Sequence, residues 1–254
     1  MTELAYLPDI DAAYVRTFPA RIVALPPGGL VLDRTFFYPT GGGQPSDVGT
    51  LSYPDPGGSS FDVVDVAKSG PSVVHRIRPR PGATRRPLVG DEIVGTIDWE
   101  RRHRHMRLHT AQHLLSARIF SRTERRTRKA SMSGARAILD LDGPLARDLV
   151  GPLLGDFAEA VRLPRRVSIR HVPRAEWDRN PASARSGLVP LPAQVDPVRV
   201  IEIEGLDVCP CGGTHLRSTG EIGAVVIDEP VLLGDGGSRV TLTLTGDGTP
   251  TRRE

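Results

Sequence analysis

The sequence predicts an α+β protein in which a small N-terminal β-barrel precedes a region that mixes helices with strands. The first hundred residues alternate short apolar runs with clusters of Pro and Gly, which is typical of a small barrel or sandwich. From Trp99 to about Ser121 the chain contains neither Pro nor Gly, which favours a long helix. This change of texture places a domain boundary near Asp98, with a barrel domain over residues 1–98 and a second domain over residues 99–254.

Five short apolar runs predict the strands of the first domain. Turn clusters such as Pro-Pro-Gly-Gly at 26–29 and Pro-Asp-Pro-Gly-Gly at 54–58 separate them. The predicted strands are Arg21–Leu25, Gly29–Asp33, Phe61–Ala67, Ser72–Ile77 and Asp91–Trp99.

The second domain begins with the long helix, on which Met106, His109, His113 and Ala117 recur at helical spacing. A second helix is predicted over Leu145–Arg162, with Pro164 beyond its end. Four strands are predicted in the rest of the domain, at Arg165–Val172, Val198–Ile203, Ala224–Ile227 and Arg239–Leu244.

Composition excludes several classes of protein. With 39% hydrophobic and 25% charged residues, and 27 Gly and 23 Pro, the chain of 254 residues reads as globular and not as a coiled coil. No apolar run approaches the ~18 residues of a membrane span, and the N-terminus lacks the apolar stretch of a signal peptide. We therefore expect a cytoplasmic protein without a membrane association. The sequence implies no protein partner and does not encode an oligomeric state.

Two pairs of residues are of types that commonly bind metal ions. His109 and His113 lie four apart on the predicted helix, so both imidazoles project from one face, as two ligands of one metal require. Cys211 and His215 are also four apart, with two glycines between them. The only two cysteines, Cys209 and Cys211, are one residue apart and cannot join distant parts of the fold. A single HxxxH pair is common on solvated helices, but two half-sites together favour zinc.

The same residues argue against a metallopeptidase. That chemistry places a general-base Glu directly after the first His, in the pattern HExxH. Thr110 occupies this position here.

The two half-sites and four other blocks resemble the editing domain of alanyl-tRNA synthetases and its freestanding relatives, the AlaX proteins. The half-sites lie in Arg107–Leu115 and Cys211–His215. The other similar blocks are the glycine-rich Phe36–Gly49, the helix lead-in Ile97–Arg102, Val200–Asp207 and Ser218–Gly223.

The resemblance implies a trans-editing deacylase that hydrolyses the ester of mischarged aminoacyl-tRNA, with serine or glycine on alanine tRNA as the expected substrates. It implies Zn²⁺ held by His109, His113, Cys211 and His215. Because the barrel comes first in the sequence, we expect no upstream activation domain and no tRNA charging.

This ligand set poses a physical problem. Four protein ligands close a tetrahedral site, whereas a catalytic zinc needs an open position. Either one ligand, such as Cys211, is loose in the active state, or the metal expands to five ligands when substrate arrives. Cys209 stays an alternative ligand by spacing, although the resemblance points to Cys211.

Two groups of residues are candidates for contact with the aminoacyl group. Thr110 and Gln112 lie inside the zinc motif and either face substrate or pack into the core; many family members have Thr at the position of Gln112. Gly41, Gly42, Gly43 and Gln44 form a glycine block that the resemblance places as a backbone wall beside the substrate. A plain strand-joining turn is the alternative for the glycines.

Basic charge is concentrated around the zinc helix. The net charge from Trp99 to Lys129 is +8, while the rest of the chain is net acidic. Beyond the helix we expect five residues to line the path of the tRNA acceptor stem, with a solvated surface as the alternative. They are Arg122, Arg125, Arg126, Arg128 and Lys129.

Two other functions stay open at this point. Four saturating ligands would suit a structural zinc in a tRNA-binding module without catalytic activity. A deacylase that clears an unusual amino acid, such as a threonine analogue, from its tRNA would use the same site.

Overall fold

The predicted α+β class is confirmed. A computed structural model describes residues 1–55, 58–180 and 191–246 and contains a closed six-stranded barrel together with helices and smaller sheets. The chain separates into two compact units, one over Met1–Arg104 and one from His105 onward. The domain boundary at residue 98 stays a prediction.

The barrel closes in the order β2-β3-β7-β6-β5-β8. Along β2 every second residue is buried, so Phe18, Ala20 and Ile22 point into the core, as the two-residue period of a strand requires. The strands of this unit are β1 (Glu3–Leu4), β2 (Thr17–Ala24), β3 (Gly29–Leu32), β4 (Arg34–Thr35), β5 (Gly49–Ser52), β6 (Ser60–Ser69), β7 (Ser72–Pro79) and β8 (Glu92–Ile97). Strands β1 and β4 pair with each other outside the barrel, and a 3₁₀ turn covers Asp11–Tyr14.

A tight turn lies at the centre of the glycine-rich block. Gly41 and Gln44 exchange two backbone hydrogen bonds of 3.1 and 2.9 Å. The two residues between them, Gly42 and Gly43, have φ values of +56° and +82°. Positive φ at both central positions is the conformation that glycine adopts without steric cost.

A fully buried ion pair anchors the same block. Arg102 and Asp47 both have no exposed side-chain area, and the guanidinium donates to both carboxylate oxygens. Arg102 also donates to the carbonyl oxygens of Ala13, at 2.8 Å, and Phe36, at 2.5 Å. Asp47 in turn accepts from the backbone N–H of Tyr38 at 2.6 Å.

Helix α1 covers Trp99–Thr123, two residues more than predicted. The carboxylate of Asp98 accepts from the backbone N–H of Arg101 at 3.0 Å, which caps the first turn. Helix α2 covers Val150–Arg162, preceded by a 3₁₀ turn at Arg147–Leu149. The short helix α3 covers Arg174–Trp177. Among the helices that the structure describes, none has the length and apolar composition needed to cross a bilayer.

Two antiparallel sheets belong to the second unit. One has the order β14-β16-β10-β9, with β15 also paired to β16, and the other has the order β11-β12-β13. Their strands are β9 (Thr127–Ser133), β10 (Arg136–Leu141), β11 (Val167–Val172), β12 (Val198–Ile203), β13 (Asp207–Pro210), β14 (Val225–Ile227), β15 (Val231–Leu232) and β16 (Ser238–Leu244).

Candidate metal centre

The structure brings His109, His113, Cys211 and His215 together in the second unit. One donor atom from each side chain lies within 4.8 Å of all the others. The three histidines are buried, whereas Cys211 is only partly buried. Cys209 lies outside this cluster, with its sulfur 3.7 Å from the carbonyl oxygen of Pro210.

Two different kinds of element supply the ligands. His109 and His113 come from consecutive turns of α1, where every residue from His105 to Leu115 is buried. Cys211 directly follows β13, and its backbone N–H donates to the carbonyl oxygen of Arg199 on β12 at 3.1 Å. The Arg199 guanidinium donates back to the carbonyl oxygen of Cys211. The edge of this sheet therefore fixes the position of Cys211.

The turn between the second pair of ligands does not depend on left-handed backbone. Neither Gly212 nor Gly213 has a positive φ. The backbone N–H of Gly213 instead donates to the sulfur of Cys211 at 3.3 Å. Such a bond favours the thiolate form of the cysteine.

Two polar groups orient the histidines. The Nδ1 atom of His113 lies 3.2 Å from a carboxylate oxygen of the buried Asp207, and Nδ1 of His215 lies 3.3 Å from the Thr110 hydroxyl. If both Nδ1 atoms carry the proton, each Nε2 atom is free to bind a metal. The Thr110 oxygen also accepts from the backbone N–H of Leu216 at 3.1 Å.

Asp207 was missed by the sequence analysis. It stands at the end of the block Val200–Asp207, four residues before Cys211. A carboxylate close in sequence to a metal-binding cysteine is a usable signal, because ligating histidines commonly donate their second N–H to a carboxylate.

Burial and mutual charge shift the pKa values of the cluster. Burial acts to lower the pKa of His113, but the hydrogen bond to Asp207 and the neighbouring Cys211 outweigh it and raise the pKa to about 9. Burial acts to raise the pKa of the Cys211 thiol, yet the charge of His109 and hydrogen bonds from the histidines hold it well below its ordinary value. Burial and the charge of His109 both lower the pKa of His215 well below its ordinary value. These shifts favour the thiolate form of Cys211 and the protonated form of His113, so a metal that binds both side chains must displace one proton from the His113 ring.

These residues fit a zinc ion. A tetrahedral site with bonds of about 2.0 Å to nitrogen and 2.3 Å to sulfur separates its sulfur and nitrogen ligands by roughly 3.5 Å. The sulfur of Cys211 lies 3.4 Å from Nε2 of both His109 and His215. Thiolate and imidazole are also the ligand types that zinc prefers.

The candidate substrate residues fall into both units. Thr110 and Gln112 lie on α1, with 0% and 8% of their surface exposed. Thr110 contacts His215 and Leu216, as described above. Gly41, Gly42, Gly43 and the buried Gln44 belong to the turn of the first unit. Their contact with substrate stays a prediction.

The five basic residues were expected beyond the zinc helix, but Arg122 lies in the last turn of α1, and only the other four follow the helix. The five differ in whether they have acidic partners. Arg122 forms an ion pair with Asp156, and Arg128 forms one with Asp235, each at 2.8 Å. In the described part of the chain no ion pair involves the other three, which are Arg125, Arg126 and Lys129. A tRNA contact by any of the five stays a prediction.

Two family models match the chain. The model of the "Threonyl and Alanyl tRNA synthetase second additional domain" matches residues 198–244, which contain Asp207, Cys211 and His215. The model of "tRNA synthetases class II (A)" matches residues 11–101, which contain the barrel strands.

Full-length relatives extend these matches. The alanyl-tRNA editing protein AlaX-M of Methanosarcina acetivorans is 34% identical over 96% of this chain and 99% of its own length. The AlaX-M protein of Saccharolobus solfataricus is 31% identical over the same shares. The alanine–tRNA ligase of Pyrobaculum neutrophilum is 37% identical over 92% of this chain, which spans about a quarter (26%) of the ligase. The resemblance noted in the sequence is confirmed, and the chain belongs to the family of AlaX-M alanyl-tRNA editing proteins.

Proposed function

We propose that the protein is a trans-editing deacylase that hydrolyses the ester bond of mischarged aminoacyl-tRNA in the cytoplasm. The proposed substrates are seryl and glycyl groups on alanine tRNA. The proposed cofactor is one Zn²⁺ held by His109, His113, Cys211 and His215. The observation that carries this proposal is the convergence of these four donors in a chain whose relatives along their full length are editing proteins.

Zinc in this site would supply Lewis-acid chemistry, which polarises an ester carbonyl and makes water a better nucleophile near neutral pH. With zinc bound, Asp207 and Thr110 would hold two of the imidazoles in the tautomer that presents Nε2. Cys211 is the most exposed ligand, so we propose that substrate reaches the cluster from its side. Loosening of Cys211 there would open the coordination position that hydrolysis requires.

Two further contacts belong to the proposal. The turn formed by Gly41, Gly42, Gly43 and Gln44 would bring its backbone close to the aminoacyl group, as the family resemblance suggests. The basic residues at and after the end of α1 would bind acceptor-stem phosphates, since the guanidinium group of arginine suits phosphate contacts.

Removal of the metal ligands tests the proposal directly. Parent protein is expected to hold about one zinc per chain and to hydrolyse seryl-tRNA. Replacing both His109 and His113 with Ala removes two nitrogen donors, so zinc and hydrolysis should both be lost. Zinc is measured by atomic emission, and ester hydrolysis by release of labelled serine from pre-charged tRNA.

His171→Ala is the matched control, because His171 lies exposed on β11 outside the cluster. It should keep the zinc content and the rate of the parent. A metal-free double variant that works at the parent rate would contradict the catalytic-zinc proposal. If the parent protein binds zinc and tRNA but hydrolyses none of a panel of charged tRNAs, the protein is a tRNA-binding module with a structural zinc. If it hydrolyses only the ester of an unusual amino acid, such as a threonine analogue, the protein is a deacylase that clears that amino acid from its tRNA.

A further inference from the structure

A buried acceptor on α1 has no hydrogen-bond partner among the residues that the structure describes. The side-chain oxygen of Gln112 makes no hydrogen bond with any described residue, although only 8% of the residue is exposed. Buried polar atoms are nearly always hydrogen-bonded, and one without a partner carries a desolvation penalty. An acceptor of this kind is available to a donor that arrives with a ligand.

Helix geometry places this side chain next to the metal centre. Residues three apart on a helix are surface neighbours, so Gln112 is adjacent to His109 on the same side of α1. Ser116 follows one turn later on this side, but its hydroxyl is already paired with the Thr127 hydroxyl at 2.8 Å. Among the described residues on this side of α1, Gln112 therefore offers a buried acceptor without a hydrogen-bond partner.

Building on the proposed function, we propose that the side-chain oxygen of Gln112 accepts a hydrogen bond from the hydroxyl of a seryl group and thereby selects seryl over alanyl esters. An editing site on alanine tRNA must spare the correct alanyl ester, which differs from the seryl ester by a single hydroxyl. A site built around a buried polar partner rejects analogues that lack the matching group, because the partner then stays unpaired.

The chemistry of the two groups is complementary. A hydroxyl both donates and accepts, so it can pair with the oxygen of a carboxamide or with its N–H group. The methyl group of alanine and the hydrogen of glycine can do neither. Gln112 would therefore discriminate serine from alanine and would leave glycine to be recognised by other contacts.

The test measures kcat/KM of the full chain on seryl-, glycyl- and alanyl-tRNA with alanine tRNA in each case. Gln112→Met keeps the length of the side chain but removes the acceptor. We expect it to lower kcat/KM for seryl-tRNA by roughly 10- to 100-fold and to leave the other two values within about twofold. The preference for seryl over alanyl esters should fall by the same factor.

A second readout does not depend on turnover. Affinities are measured for adenosine analogues in which a seryl or alanyl group is joined to the ribose through a non-hydrolysable amide. The parent should prefer the seryl analogue, and Gln112→Met should bind the two analogues equally. Leu108→Met is the matched control, because Leu108 is fully buried one turn earlier on α1 and the swap conserves volume. Leu108→Met should keep the parent's preference for seryl over alanyl groups, both in kcat/KM and in the affinity for the analogues.

The outcomes separate this inference from the proposed function. An equal loss on all three esters would overturn the inference in favour of a contact with the shared α-ammonium group or a purely structural role. An unchanged preference in Gln112→Met, with zinc content retained, would overturn the inference alone. If the parent hydrolyses none of the three esters, the proposed function fails, and the inference fails with it.

Discussion

At the scale of single residues, the role of Gly42 in the backbone of the turn can be tested separately from its proposed contact with substrate. Its φ of +56° strains most residues with a side chain, Asn and Asp least, but an added Cβ would meet nothing closer than the Tyr38 hydroxyl at 3.9 Å. The turn therefore demands glycine for its backbone angle and leaves space for a side chain. A residue that tolerates this φ value can therefore be placed at position 42 without damaging the turn. Such a substitution tests whether the turn backbone lies beside the substrate, as proposed.

We predict that Gly42→Val destabilises the protein by about 1–2 kcal/mol, because a β-branched residue is strained at this angle. Gly42→Asn should fold normally, since Asn accepts left-handed backbone. If the turn backbone approaches the aminoacyl group, Gly42→Asn lowers kcat/KM on seryl-tRNA while the melting temperature stays within a few degrees of the parent.

Gly82→Asn is the control, because Gly82 has a φ of +86° and open space around it, in the loop after β7. It should alter neither activity nor stability. Full activity in Gly42→Asn would leave the glycine block as a plain turn.

At the scale of elements, the ion pair of Arg102 and Asp47 connects two blocks that the sequence comparison treated separately. Arg102 ends the helix lead-in Ile97–Arg102, and Asp47 lies in the glycine-rich block Phe36–Gly49. Their carboxylate, guanidinium and carbonyl contacts are fully buried. No local pattern reveals such a pair, because its partners lie 55 residues apart and a single sequence does not show which charges meet.

Removing one partner should be costly, since it leaves the other charge buried and uncompensated. We predict that Asp47→Ala lowers the free energy of unfolding by about 3–5 kcal/mol. Arg102→Met combined with Asp47→Leu should recover much of this loss, because it removes both charges and fills the volume. Urea denaturation followed by circular dichroism measures all three proteins.

An exposed ion pair on the same helix provides the comparison. Glu100 accepts from Arg104 at 2.6 Å, and Glu100 is 85% exposed. Glu100→Ala should change stability by no more than about 0.5 kcal/mol. A similarly small effect in Asp47→Ala would show that the buried pair contributes little to stability.

Element by element, periodicity predicted some helices and strands closely and missed others. Strand β12 occurs at the predicted Val198–Ile203, and α1 differs from its prediction only at the C-terminal end. The barrel strand β5 went unnoticed because its four residues, Gly-Thr-Leu-Ser, contain a single large apolar side chain. Helix α2 begins later than predicted, because its first turn is of the 3₁₀ type.

The hairpin of β9 and β10 was also missed. Strand β9 contains Arg128 and Lys129, and only one of its seven residues, Met132, is buried. Its stability comes from pairing with β10, whose Leu139 and Leu141 are fully buried. Such a strand shows no apolar alternation of its own, so tertiary pairing decides its structure.

At the scale of the whole molecule, the sequence shows an uneven distribution of charge, and the structure shows which of the basic residues have acidic partners. Of the five candidate basic residues, Arg122 pairs with Asp156 and Arg128 pairs with Asp235. Arg125 and Arg126 form no ion pair within the described residues. They are therefore the better candidates for phosphate contacts.

We predict that replacing Arg125 and Arg126 together with Ala weakens tRNA binding and flattens its dependence on salt. Each lost phosphate contact should reduce the slope of log affinity against log salt by somewhat less than one. The effect should be similar for tRNAs of every identity, because phosphates carry no sequence information. Filter binding at several salt concentrations measures it, and hydrolysis of a minimal aminoacyl-nucleoside ester should stay unchanged.

The control removes the same charge from the barrel, by Arg76→Ala with Arg78→Ala on β7. Both arginines are exposed and pair with aspartates of the neighbouring strand β6. This variant should keep the slope of the parent. If the Arg125 and Arg126 variant also keeps it, the charge beyond α1 faces solvent.

The spacing of the four donors has a further consequence for how the second unit holds together. His109 and Cys211 are separated by 102 positions, and strands β9 to β13 all lie between them. A cation bound by both would act as a cross-link that closes a loop of roughly a hundred residues. Closing such a loop restricts the unfolded chain far more than the folded one, as a long-range disulfide does. The same four side chains would then form a reversible cross-link, which a chelator breaks and added metal restores.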